Sequence, residues 1–113
     1  MTDRLTQGQQ LNVNDQLVSN NGKVRLVLQA DGNLVEYRND TGYWVWSTWT
    51  GGRPVSRAIM QDDGNFVLYD GNNVPYWSTG TMHHPGAYIV LQDDGNLVVY
   101  GPDNKPLWAH YII

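Results

Sequence analysis

Glutamine, aspartate, asparagine, valine and tyrosine recur together at alternating positions three times in this chain. The sets are Gln29, Asp31, Asn33, Val35 and Tyr37, then Gln61, Asp63, Asn65, Val67 and Tyr69, then Gln92, Asp94, Asn96, Val98 and Tyr100. Each offers amide donors and acceptors, one carboxylate, one phenol and one apolar contact, with a single formal charge. That combination suits a ligand dense in neutral hydroxyls, which is how a sugar presents itself. A turn needs Asp-Gly, but it does not need glutamine four positions before the asparagine or tyrosine four after it. The identity of the three sets therefore points to recognition rather than to packing.

Other chemistries fit these residues poorly. Glycoside hydrolysis needs a second carboxylate beside the first, or a nucleophile with its base. Asp62 and Asp93 could partner two of the sets, but the first repeat has Ala30 at that position. Calcium is disfavoured as well, because a twelve-residue loop starting at Asp62 would place Gly64, Phe66 and Asn73 where oxygen ligands belong. His83 and His84 are adjacent and lack a third ligand, so they suit a surface loop better than a metal site. No catalytic residue, metal ligand or cofactor is expected.

The elements that position the sets follow from the repeat. The motifs span 29–37, 61–69 and 92–100, and each is followed by a tryptophan, Trp46, Trp77 and Trp108, 31 residues apart. Each copy reads as a β-hairpin in which apolar runs such as Leu26–Leu28 and Leu34–Val35 flank a turn. With a three-residue loop ending on left-handed Gly32, Gln29 pairs with Asn33 and Val27 with Val35. The motif side chains then share one face. The opposite face is apolar, with Leu26, Leu28 and Leu34 in the first repeat and Ala58, Met60, Phe66 and Leu68 in the second. In the third it carries Ile89, Leu91, Leu97 and Val99. A one-residue slip would mix glutamine with leucine on each face. Glu36 interrupts the apolar face, and the first sheet is expected to fray to solvent there.

Three such hairpins bury their apolar faces against one another, so an all-β, three-sided prism is predicted with the three tryptophans on its axis. Thr50–Ser56 and Thr79–Gly86 are the expected inter-sheet corners. Composition agrees. Among 113 residues there are 12 Gly, one Glu and two Lys, which is poor in helix formers and rich in turns. Seven basic against 11 acidic residues, a net charge of −4 and no basic cluster argue against a nucleic-acid partner. No apolar run approaches a membrane span, so membrane insertion is not expected. With no cysteine there is no disulfide to reveal the compartment. The start Met1-Thr-Asp-Arg lacks the apolar segment of a secretory signal, which leaves a cytoplasmic, a non-classically secreted or a mature secreted chain. A single domain over 1–113 is expected.

Gln-x-Asp-x-Asn-x-Val-x-Tyr in triplicate resembles the monocot mannose-binding, or bulb-type, lectins. The likeness extends to Leu5-x-x-Gly8-x-x-Leu11, to Leu17–Gly22 and to the post-motif tryptophans. It implies the β-prism II fold, with three four-stranded antiparallel sheets and pseudo-three-fold symmetry around a tryptophan core. It further implies three shallow, metal-independent pockets for α-D-mannose and mannose-rich glycans or glycoproteins. In each pocket Asp and Asn would hold the axial O2, Gln would reach O3, Tyr would reach O4, and Val would touch the ring carbons. Plant members usually carry a disulfide with cysteine where this chain has Gly32 and Gly64, so the likeness is to cysteine-free relatives. A homodimer exchanging carboxy-terminal strands is also implied, and the tail His110–Ile113 suits either that exchange or an edge strand within the chain. Two other functions stay open at this point. One is a protein-interaction or scaffold module using the same face. The other is a lectin for a related sugar, such as D-rhamnose in lipopolysaccharide.

Overall fold

The computed structural model describes residues 2–111 of the chain, and every regular element among them is a β-strand. The first repeat gives β4 (Val24–Leu28), β5 (Leu34–Arg38) and β6 (Trp44–Ser47). The second gives β7 (Val55–Met60), β8 (Phe66–Asp70) and β9 (Pro75–Ser78), and the third β10 (Tyr88–Leu91), β11 (Leu97–Tyr100) and β12 (Pro106–Ala109). The amino-terminal segment supplies β1 (Arg4–Leu5), β2 (Gln10–Asn12) and β3 (Gln16–Val18), one outer strand for each sheet. The three antiparallel sheets are β1-β10-β11-β12, β2-β7-β8-β9 and β3-β4-β5-β6. Leu5, Leu11 and Leu17, one on each of these outer strands, are all buried.

The register is the expected one, with Val27 opposite Val35 and Leu28 opposite Leu34. At the turn Gln29 N donates to Asn33 O at 2.9 Å and Gly32 N to Gln29 O at 3.0 Å, with Gly32 at φ 90°. The other two motifs repeat this pattern, with Gly64 at φ 93° and Gly95 at φ 88°. Burial alternates strictly along β4, and in all three hairpins every predicted apolar residue, from Leu26 to Val99, faces inward with no exposed surface. On the axis Trp46, Trp77 and Trp108 meet edge-on in a closed trio, with centroids 5.6–5.8 Å apart.

Two sequence expectations need correction. Val55 and Ser56 belong to β7 rather than to the corner that precedes it. More consequentially, the first sheet does not fray at Glu36. That side chain is fully buried, pairs in register with Trp46, and lies 2.6 Å through Oε1 from Nε2 of His110. His110 stands where the other repeats have Thr48 and Thr79, and Glu36 stands where they have Leu68 and Val99. Two departures from the repeat, 74 residues apart, are therefore each other's partner. The His110 ring also stacks on Trp46 at 5.2 Å. Its Nε2–H donates to both Glu36 Oε1 and Gly95 O, which ties the first sheet to the third turn.

Desolvation holds the Glu36 carboxyl above its ordinary value of 4.5, against the opposing pull of His110. The folded chain therefore binds that proton more tightly than the unfolded chain does. The resulting stability is fully present below pH 4.5 and is lost as pH rises through the raised value. Glu36→Gln is neutral throughout and should lack this slope. Urea midpoints of both proteins measured from pH 4 upward should show the wild type losing ground to the variant, and parallel curves would contradict it.

Backbone N–H groups of the connecting segments close the prism. Gly52 N donates to Asp31 O, His84 N to Asp63 O, and Asn21 N to the Asp93 carboxylate at 2.8 Å. Each motif turn is thereby fastened to a neighbouring segment of chain. Pro106–Ala109 pairs with β11 of its own chain, and Ile112 and Ile113 of the expected exchanging tail lie outside the described residues.

Candidate functional site

All fifteen motif residues come together as predicted, five to a sheet, on the face away from the core. In the first set the Tyr37 hydroxyl donates to Gln29 Oε1, and Gln29 Nε2 reaches Asp31 Oδ1 at 3.2 Å. Asp31 Oδ1 also accepts from Asn33 N at 2.9 Å. Tyr69, Gln61, Asp63 and Asn65 repeat this chain of bonds, as do Tyr100, Gln92, Asp94 and Asn96. Because the phenol donates inward, its oxygen keeps lone pairs for an incoming hydroxyl. Val35 and Val67 expose 3% of their surface and Val98 none, so the valines form a packed floor rather than an open wall.

The asparagines are oriented by residues that motif spacing alone does not reveal. Asn33 Oδ1 accepts from Thr50 N at 3.1 Å and from Thr48 Oγ1 at 3.2 Å. Thr50 Oγ1 in turn donates to Gly32 O at 2.7 Å. Thr81 and Thr79 serve Asn65 in the same way. With the carbonyl occupied, Asn33 and Asn65 direct Nδ2 outward, and among the described residues Nδ2 bonds to nothing. The third repeat lacks these threonines, and Tyr111 N binds Asn96 Oδ1 instead at 3.1 Å. The sequence signal was Trp-Ser-Thr-x-Thr, present after the first two motifs as Trp46–Thr50 and Trp77–Thr81 and missing after the third.

Each tyrosine ring is braced from the neighbouring strand. Arg25 lies 4.8 Å over Tyr37 and Arg57 lies 4.9 Å over Tyr69, while Tyr88 stacks on Tyr100 at 5.6 Å. All three braces stand four positions before the motif glutamine. Each is held by an asparagine of the following turn: Arg25 by Asn39, Arg57 by Asn73 and Tyr88 by Asn104, at 2.6–2.7 Å. The exposed polar groups of each set are thus held in place by the protein itself, the arrangement that lowers the ordering cost of any ligand bound there.

An outward amide N–H beside a carboxylate oxygen matches one hydroxyl that accepts from the first and donates to the second. Three such sites stand on three sides of one prism. Chains of this form are already solved. Over 96% of its length the chain is 36% identical to a monomeric monocot mannose-binding lectin from Gastrodia elata, covering 96% of that protein at a TM-score of 0.85. The chain belongs to the bulb-type lectin family. The snowdrop (Galanthus nivalis) mannose-specific agglutinin, solved with methyl-α-D-mannoside, is 35% identical over 98% of this chain and 97% of its own, at a TM-score of 0.78. B-type lectin plumieribetin from Scorpaena plumieri is 39% identical over 70 residues, which is 60% of this lectin chain. Alignments span between 6% and 58% of the length of the curated relatives it matches. No family model matches the sequence. Bulb-type lectins are non-enzymatic carbohydrate-binding proteins, and sugar binding rather than catalysis rests on that membership. Among the described residues no three His, Cys, Asp or Glu side chains gather as a metal site, and His83 and His84 lie exposed in a loop.

Proposed function

We propose that this bulb-type lectin binds α-D-mannose and mannose-rich glycans through three metal-independent pockets, one on each sheet. The carrying observation is that Asn33 Nδ2 and Asp31 Oδ2 both border Gly51, each 3.9 Å from where a Cβ there would stand, while inward bonds hold the Asn33 carbonyl and the Asp31 carboxylate. An axial O2 would accept from the amide and donate to the carboxylate, Gln29 would serve O3, and the Tyr37 oxygen would serve O4. The snowdrop relative carries methyl-α-D-mannoside, which supports the same sugar here.

A few neutral hydrogen bonds worth about 0.5–1.5 kcal/mol each, less the cost of immobilising the sugar, leave about 4 kcal/mol per pocket, a millimolar constant. Useful affinity must then come from valency. The Gastrodia elata lectin is monomeric. A homodimer with exchanged carboxy-terminal strands would double the pocket number, and sedimentation velocity separates it from a monomer in which β12 stays on its own β11.

Glucose should fail, because its equatorial O2 leaves the amide and the carboxylate without their shared partner. Calorimetric titration with methyl α-mannoside in chelator should give a shallow three-site isotherm, and methyl α-glucoside should give none. Equal binding of the two sugars, or loss of binding in chelator, would contradict the assignment. Preference for D-rhamnose, or a protein partner that free mannose does not displace, would replace it with one of the other readings.

A further inference from the structure

The first pocket has a wall that the other two lack. Trp44 and Trp49 stand edge-on to each other beside it, with centroids 5.8 Å apart, and are 58% and 78% exposed. A cavity of about 240 Å3 runs from Gln29, Asn33 and Tyr37 to both indoles. Counted from the axial tryptophans, the equivalent residues are Pro75 and Gly80 in the second repeat and Pro106 and Tyr111 in the third. The fold is therefore built twice without this pair. Packing does not explain it either, because most of both rings faces solvent.

Trp49 is also held in a conformation that large side chains avoid. Its φ is 57°, in the left-handed region, where Gly80 of the second repeat sits at 67°. A bulky residue there is strained, and such strain persists where function retains it. An exposed aromatic pair in an otherwise hydrophilic recognition face marks a contact surface. Its continuity with the hydroxyl-binding cavity indicates which ligand. The ring faces of a pyranose carry C–H groups, and an indole receives such an apolar face while the hydroxyls at the ring edge remain hydrated.

We propose that Trp44 and Trp49 form a second subsite, joined to the Gln29–Tyr37 pocket, for the sugar linked to the bound mannose. The first pocket then reads two rings of a glycan, whereas the second and third read one. This rests on the assignment of the motif pockets to mannose. The same exposed pair could instead pack against a protein or a second copy of the chain, and the test separates these.

The second repeat supplies the control, since Trp44→Pro with Trp49→Gly rebuilds its wall in the first and relieves the strained backbone. Methyl α-mannoside and the α1→2, α1→3 and α1→6 mannobioses are titrated into both proteins. In the wild type one site per chain should favour at least one mannobiose over the monosaccharide by about tenfold. The double variant should lose that preference and keep three monosaccharide sites. No disaccharide preference in the wild type, or an unchanged preference in the variant, overturns the subsite while the pockets stand. Absence of mannoside binding in the wild type overturns both. If the variant changes the sedimentation coefficient and not the mannobiose preference, the pair is a contact between copies and the subsite is wrong.

Discussion

Replacing Tyr37, Tyr69 and Tyr100 together by phenylalanine should lower binding to a mannan surface by about a hundredfold, with the circular dichroism spectrum unchanged. Each change removes one hydroxyl that donates to the motif glutamine and that, in the proposed pockets, would offer its oxygen to the sugar. A single hydrogen bond of this kind is worth about 1 kcal/mol, a small loss in one pocket. On a multivalent surface the losses multiply, because each pocket binds at the effective concentration set by the others. The rings themselves remain, braced by Arg25, Arg57 and Tyr88, so the sheets have no reason to shift. Tyr100→Phe alone should reduce monosaccharide stoichiometry from three towards two at concentrations that fill unmodified pockets. Intact mannan binding by the triple variant, with the fold preserved, would show that the tyrosines serve something other than sugar recognition.

The largest effect on stability should come from a single methyl group at a motif turn. Gly32 has φ 90°, and a Cβ there would lie 1.9 Å from the carbonyl oxygen of Arg53 in the adjoining corner. Both the backbone conformation and the space exclude a side chain, so Gly32→Ala should cost about 3 kcal/mol or more. Gly42 is the matched control, with φ 76° and nothing within 4 Å of its added Cβ. Gly42→Ala should cost about 1 kcal/mol, the conformational part alone. Urea denaturation of the two variants measures the difference, and equal costs would mean the corner yields freely. Gly64, with His84 O at 2.4 Å, should behave like Gly32. The corner backbone occupies the space that a side chain at either turn would need.

The repeat made most of this architecture legible in the sequence. Period-two alternation, Asp-Gly turns and the 31-residue tryptophan spacing led to three sheets, their register and the axial trio, because burying one apolar face leaves a single consistent pairing. The site was legible as a set of residue types but not as a mechanism. That Asn33 presents its amide nitrogen depends on Thr48 and Thr50, which the turn of the chain brings back to it, and that the tyrosines stand upright depends on Arg25 and Arg57 across a strand. Glu36 shows the limit most plainly. Read locally it was a carboxylate on an apolar face that had to reach solvent, and only the prism reveals that His110 arrives from the far end of the chain to meet it. Trp44 and Trp49 are not legible for a related reason, since a repeat marks what recurs and leaves unmarked what occurs once.

The most direct test is to follow the side-chain amide signals of Asn33, Asn65 and Asn96 by nitrogen-15 NMR while methyl α-mannoside is added in the presence of chelator. All three should shift and saturate together in the millimolar range, and methyl α-glucoside should leave them in place. If mannoside binds while these three signals stay fixed, the sugar is held elsewhere and the pocket assignment is wrong.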